Sequence, residues 1–162
     1  MNYTLGADVE NVSKTSGSPG FFNEFGNALD NVMSSAPGNG GFVILQGPDG
    51  NDTLFGGSLI RTVGGNGADT FVFKSLADAT GILTDFSHAQ GDRIDVTGVD
   101  ANTLAVGDQA FTFVGAVAFS GHAGDLRYAS GQLSGDVNGD GVSDFSIQVD
   151  NSPAIVASDF LL

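Results

Sequence analysis

Of the 19 acidic residues in the chain, 17 are Asp and only Glu10 and Glu24 are Glu. Glu suits helix interiors, whereas the short Asp carboxylate suits turns, where it can meet a hard cation beside main-chain carbonyls of the same loop. Many of these residues adjoin glycine: Asp49-Gly50, Gly91-Asp92, Gly107-Asp108, Gly124-Asp125, Gly135-Asp136 and Gly139-Asp140-Gly141. The chemistry this offers is oxygen ligation of a divalent cation. A solvated acidic surface would have the same composition, so position in the chain has to separate the two.

Other chemistries lack their residues. The chain has no Cys, which removes disulfides and thiolates. His88 and His122 form no H-E-x-x-H, so zinc protease chemistry is absent, and no G-x-S-x-G elbow exists for a hydrolase. Gly64-Gly65-Asn66-Gly67 is not followed by the Gly-Lys-Ser/Thr of a phosphate loop. Five Lys and Arg and a net charge of −14 exclude nucleic acid, which needs basic patches. No apolar run reaches the ~18–20 residues of a membrane span, and the N-terminus shows neither a basic nor an apolar signal region.

The elements that must position the acids are repeats. Gly47-Pro48-Asp49-Gly50-Asn51-Asp52-Thr53-Leu54-Phe55 and Gly64-Gly65-Asn66-Gly67-Ala68-Asp69-Thr70-Phe71-Val72 share a nine-residue pattern, G-[GP]-x-G-x-D-T-apolar-x. Between them Gly56 to Val63 is an eight-residue copy with Arg61 in place of Asp, and Gly38 to Gln46 is a further copy with Val43 there. Such short repeats, each a glycine-rich turn and a strand with one inward apolar residue, predict a parallel β-solenoid with Leu45, Leu54, Val63 and Phe71 stacked in its core. The fold class is therefore all-β. Beyond residue 73 ordinary alternation predicts strands at 82–86, 93–96, 110–114, 126–128 and 144–149, with a short helical turn near 101–106. These strands are expected to form an antiparallel unit capping the roll, which divides the chain at 73/74. Residues 20–33 carry two readings, an irregular β coil or an amphipathic helix bearing Phe21, Phe25, Leu29, Val32 and Met33.

The nonapeptide resembles that of the RTX (repeats-in-toxin) proteins, which form a calcium-bound parallel β-roll. The ordered series after it, including Leu83-Thr84-Asp85-Phe86, Gly91-Asp92-Arg93-Ile94, Asp125-Leu126-Arg127-Tyr128 and the terminal Asp159-Phe160-Leu161-Leu162, is similar to the C-terminal domain of serralysin-type metalloproteases. Tyr3-Thr4-Leu5-Gly6 and Gly26 to Val32 resemble the degenerate coils that precede such repeats.

The resemblance implies calcium between stacked turns, held by Asp52 and Asp69 with main-chain groups of Gly47, Asp49, Gly50, Gly64, Gly65 and Gly67. It also implies a second ion shared by Asp69, Asp85 and Asp92. Val43 and Arg61 would fall on the opposite side, which offers no ligand oxygen there and a fixed positive charge, so cations are expected along one side only. Asp136, Asn138, Asp140 and Asp144 read as D-x-N-x-D-G-x-x-D, the first half of an EF-hand loop. Position twelve is Ile147, so no bidentate Glu closes the sphere, and a tight polar hairpin turn is the competing reading.

The function implied is a non-catalytic calcium-binding β-roll and C-terminal targeting domain of a monomeric, secreted protein. The type I exporter would read an uncleaved signal at Asp159-Phe160-Leu161-Leu162, separable from the fold. A calcium-dependent accessory module that binds a polysaccharide or a protein, as in alginate epimerases, is the alternative.

Overall fold

A computed structural model describes residues 2–14, 20–35, 41–151 and 153–162. Pro19 and residues 37–40, part of the upstream copy and of the brackets around 20–33, lie outside the described residues. The chain winds between two sheets. The first takes β1 (Asn2–Thr4), β3 (Phe21–Phe25), β5 (Phe42–Gln46), β7 (Ile60–Val63) and β9 (Ile82–Leu83) in parallel order. The second takes β2 (Asn11–Lys14), β4 (Val32–Ser35), β6 (Thr53–Phe55), β8 (Thr70–Val72) and β10 (Arg93–Asp95), also parallel. Each coil thus lays one strand on each sheet and stacks in register on its neighbour. This is the expected β-solenoid.

Between the sheets lie columns of side chains set by strand period two. In the second sheet Met33 pairs with Leu54, Leu54 with Phe71, Phe71 with Ile94 and Ile94 with Phe160. All but Phe160 are fully buried, and Phe160 is 6% exposed. Because an apolar residue recurs at the same place in each coil, stacking coils buries what one coil alone would leave in water.

The first sheet departs from the nonapeptide count. Thr62, not Val63, takes the inward slot opposite Leu45, and Val63 is half-buried opposite Gln46. The copy at 56–63 is one residue short, its turn closing through Ile60 N–H to Gly57 O at 3.0 Å, so every side chain of β7 moves to the other face relative to a nine-residue count. Ile60 and Thr62 face in, and the Thr62 hydroxyl is satisfied by Ile82 O at 3.3 Å. Val43 and Arg61 are consequently strand residues rather than turn residues, which corrects the expectation that they stand in the ligand position of turns on the opposite side. Val43 is core, whereas Arg61 points outward to Asp150 Oδ2 at 2.7 Å and Thr84 Oγ1 at 3.2 Å.

Residues 20–33 form the β coil, not the helix. β3 pairs along its whole length with β5, and a turn at Gly26–Asn31 separates it from β4. Glu24 is buried within β3, while Phe21 stands 77% exposed against Phe42.

The C-terminal strands continue both sheets. β14 (Phe145–Val149) pairs in parallel with β9, and β13 (Gln132–Asp136) and β12 (Asp125–Ala129) follow antiparallel, with β11 (Thr112–Gly115) parallel to β12 at the edge. β15 (Phe160–Leu161) adds to β10 in the second sheet. Antiparallel pairing is present as expected, but only in β12–β13–β14 and through β13, which the alternation does not predict; β9 and β10, expected in that unit, are parallel coil strands. Residues 101–107 are turns and bends rather than helix, and the two helical segments described are 3₁₀ turns at His88–Gln90 and Ala157–Asp159. The extreme C-terminus is part of the fold, contrary to a detachable tail. Phe160 packs on Phe113 with ring centroids 4.7 Å apart, and Arg93 Nη1 donates to Ser158 O at 2.5 Å. Asp159 is buried, with one oxygen on His88 Nδ1 at 2.5 Å and the other on Val156 N–H at 2.8 Å.

Candidate metal centre

One side of the solenoid is built from equivalent turns: 26–31, 47–52, 64–69 and the longer 84–92, each leading from the first sheet into the second. A ladder of side chains ties them. Asn31 N–H donates to Asp52 Oδ1 at 2.8 Å, Asp52 N–H to Asp69 Oδ1 at 2.8 Å, and Asp69 N–H to Asp92 Oδ1 at 3.0 Å. The sequence therefore places Asp52 and Asp69 in register, one coil apart. An outer ladder runs beside it, from Asn51 N–H to Asp30 Oδ1 at 2.7 Å and from Ala68 N–H to Asn51 Oδ1 at 2.8 Å.

Asp52 and Asp69 are each 1% exposed, and in each the second oxygen, Oδ2, is buried without a hydrogen-bond partner. These oxygens rest against glycine. A Cβ at Gly47 would overlap Asp52 Oδ2, and one at Gly64 would overlap Asp69 Oδ2. The turns also stack so closely that a Cβ at Gly65 would strike Gly47 O and Pro48 O, and one at Gly67 would strike Gly50 O. Both residues hold positive φ, 91° and 133°. Glycine is thus required there by space and by backbone conformation.

An unpartnered buried carboxylate oxygen is costly. Its price appears in the ionisation. Burial pushes Asp52 up to about 6 against the hydrogen bond from Asn31, with Asp30 and Asp49 adding repulsion. Burial likewise pushes Asp69 up to about 7 against the bond from Asp52, with Asp92, Asp52 and Asp85 adding repulsion. Asp92 is raised by burial as well, opposed by N–H donors from Asp69 and Ser87. A cation would relieve all three, since it favours the charged form.

The remaining expected ligands are placed differently. Asp85 spends both oxygens on the N–H groups of Gly64 and Gly65, at 2.8 Å each, and so braces turn 64–69 from the next coil. Asp92 accepts from Asp69 and from Ser87 N–H at 2.8 Å. Asp49 is exposed, with Oδ1 on Asn66 Nδ2 at 2.8 Å. Among the described residues no three acidic or histidine side chains converge into a cage. Any cation here would therefore be held by at most two carboxylates together with main-chain carbonyls, a donor set of hard oxygens.

The loop 136–144 joins β13 to β14 and closes on itself. Asp136 is fully buried, with Oδ1 accepting from Asn138 and Gly139 N–H and Oδ2 from Gly141 N–H at 2.9 Å. Asp144 accepts from Val137 N–H at 2.7 Å and from Asn138 Nδ2 at 2.9 Å, and the Asp140 side chain holds Val142 N–H at 2.8 Å. These are Asx turns of a polar hairpin. Position twelve, Ile147, is core.

The family described as peptidase M10 serralysin C terminal matches residues 9–162. The chain belongs to the serralysin C-terminal family. The solution structure of the AlgE6R3 subunit from the Azotobacter vinelandii mannuronan C5-epimerase is 26% identical, covers 97% of this chain and 80% of that one, and has a TM-score of 0.48. No curated protein matches. In this serralysin C-terminal domain, sequence reasoning missed Asn31, which continues the Asp52/Asp69 ladder. The signal was present as a polar residue in the sixth position of a six-residue turn starting with Gly26. It also missed the bracing role of Asp85, which no spacing rule reports.

Proposed function

We propose that this domain is a non-catalytic calcium-binding β-roll, secreted through a type I exporter with its export information at the C-terminus. The observation that carries the calcium reading is the pair of fully buried, in-register carboxylates, Asp52 and Asp69, each with one unpartnered oxygen against a glycine. Asp52 and Asp69 would hold the ion with carbonyls of turns 47–50 and 64–67. Asp85 orients the second turn, and Asp92 extends the row. Bound calcium supplies positive charge that neutralises the clustered carboxylates and links the coils. Without it, the net charge of −14 and the buried acids oppose closure of the roll, so binding energy becomes folding energy. The hydrogen-bonded hairpin is our reading of loop 136–144.

Membership of the serralysin C-terminal family supports export and an extracellular location, and no helix among the described residues is long and apolar enough to cross a membrane. An ion-poor cytoplasm would keep the chain open for passage and millimolar calcium outside would fold it. Calcium titration of the chelated protein, followed by far-UV circular dichroism, tests the first part. A spectrum and melting curve unchanged between excess EGTA and calcium would overturn it. For export, residues 145–162 fused behind an unrelated passenger should carry it into the medium of cells expressing a type I exporter. Retention of the passenger inside those cells counts against the signal.

A further inference from the structure

The turn that precedes 47–52 has the same length and frame but different side chains. Asn31 is 1% exposed and donates its N–H to Asp52 as Asp52 does to Asp69. In all three turns the sixth side chain lays an oxygen against the first glycine, because a Cβ at Gly26, Gly47 or Gly64 would overlap Asn31 Oδ1, Asp52 Oδ2 or Asp69 Oδ2. The partners of those oxygens differ. Asn31 Oδ1 accepts the N–H of Asn27 at 2.8 Å. The residue equivalent to Asn27 in the next turn is Pro48, which has no N–H to give. In the turn after that it is Gly65, whose N–H is taken by Asp85 Oδ2 at 2.8 Å. Only the two later oxygens are left unpartnered.

The Asn27 side chain completes the contrast. Its Nδ2 donates to two carbonyls of the preceding turn, Gly6 O at 2.6 Å and Val9 O at 2.8 Å. Its Oδ1 accepts from Leu29 N–H at 2.9 Å and from Asn31 Nδ2 at 3.2 Å. A donor set between carbonyls of one turn and the sixth side chain of the next does the electrostatic work of a bound cation, without a carboxylate to balance.

Building on the calcium reading above, we infer that turn 26–31 is a cation-independent closure in which Asn27 stands in for the metal. The row of calcium sites therefore begins at turn 47–52. Pro48 and Asp85 are the residues that keep the Asp52 and Asp69 oxygens available, one by lacking a donor and the other by diverting one.

Isothermal titration of the whole chain with calcium chloride tests this against two variants. Asn27→Pro combined with Asn31→Asp, which copies the second and sixth positions of turn 47–52 and removes the N–H that Asn31 Oδ1 accepts, should bind one more calcium per chain than wild type. It should also melt lower than wild type in EGTA, since the amide network is gone. Asn31→Ala should bind the same number of ions as wild type. An unchanged count in a double variant that shows the wild-type circular dichroism spectrum in calcium overturns the inference, and so does loss of an ion in Asn31→Ala. Should the double variant not fold, the count in Asn31→Ala decides alone. A wild-type chain that takes up no calcium defeats the calcium reading itself, whereas wild-type uptake with either contrary count defeats only this inference.

Discussion

The main-chain N–H of Asp52 donates to Oδ1 of Asp69 at 2.8 Å, so each carboxylate serves the coil before it with one oxygen and leaves the other buried and unpartnered. One atom stabilises the stack while its twin destabilises it. Replacing Asp69 by Asn keeps an oxygen for the Asp52 N–H and removes the charge. The expected result is opposite shifts. At about pH 8 in EGTA the variant should melt higher by roughly 2–4 °C for each kcal/mol of relieved charge burial. In calcium it should melt lower than wild type. Shifts of the same sign in both buffers would remove Asp69 from the cation site.

The pH dependence of the calcium-free chain follows from the same burial. Asp52 and Asp69 rise from the ordinary 3.8 to about 6 and about 7. The folded chain then binds more protons than the unfolded chain across that window, so their stabilising contribution is full below 3.8 and is lost as pH climbs through 6 to 7. Thermal melts in EGTA should therefore move to lower temperature between about pH 5 and pH 8. In millimolar calcium the trend should flatten or reverse, because the ion competes with protons. A calcium-free melting temperature that rises with pH contradicts the assignment.

Gly65→Ala should damage the stack more than an equally left-handed glycine in open space. Gly65 has φ 91° and faces Gly47 O and Pro48 O, whereas Gly141 has φ 81° with nothing near its Cβ position. Backbone strain alone costs about 1–3 kcal/mol. Gly141→Ala should remain in that range, while Gly65→Ala should exceed it and weaken calcium binding. Chemical denaturation in calcium compares the two, and equal losses would mean that the turns do not pack this closely.

Arg61 clamps the coils to the C-terminal strands through Asp150, with the two side chains 32% and 26% exposed. Partly solvated pairs contribute at most about 1 kcal/mol. A double-mutant cycle with Arg61→Ala and Asp150→Asn should return a coupling of that size or less. Arg61→Asp should leave the number of bound calcium ions unchanged, since the residue lies on the outer face of a strand. An added ion would contradict that placement.

Phe160→Ala should be a severe lesion for a residue so near the end of the chain. It continues the column Leu54, Phe71 and Ile94 and touches Phe113. Truncating a buried Phe costs about 3–5 kcal/mol. Urea melts in calcium should show that loss, and a near-neutral effect would mean that the terminal strand does not hold the second sheet.

The sequence by itself determined the solenoid and the in-register row of Asp52 and Asp69. Two nonapeptides with Asp in the sixth position and an apolar residue in the eighth suffice, because both must recur at the coil repeat for columns such as Leu54 over Phe71 to form. The strand alternation of Arg93 to Asp95 and Phe145 to Val149 was legible for the same reason. What only the tertiary structure decided depends on turn length and on partners far along the chain. The shortened turn at 56–59 exchanges Thr62 for Val63 in the core and sends Arg61 to Asp150, 89 residues away. β13 contains little apolar sequence beyond Leu133 and exists because β12 and β14 flank it. The terminal Phe160-Leu161 becomes a strand because β10 offers an open edge and Ile94 an apolar partner. No spacing rule states which oxygen of Asp52 is left without a donor. That outcome rests on a proline four residues earlier in the same turn and on the coils stacked on either side.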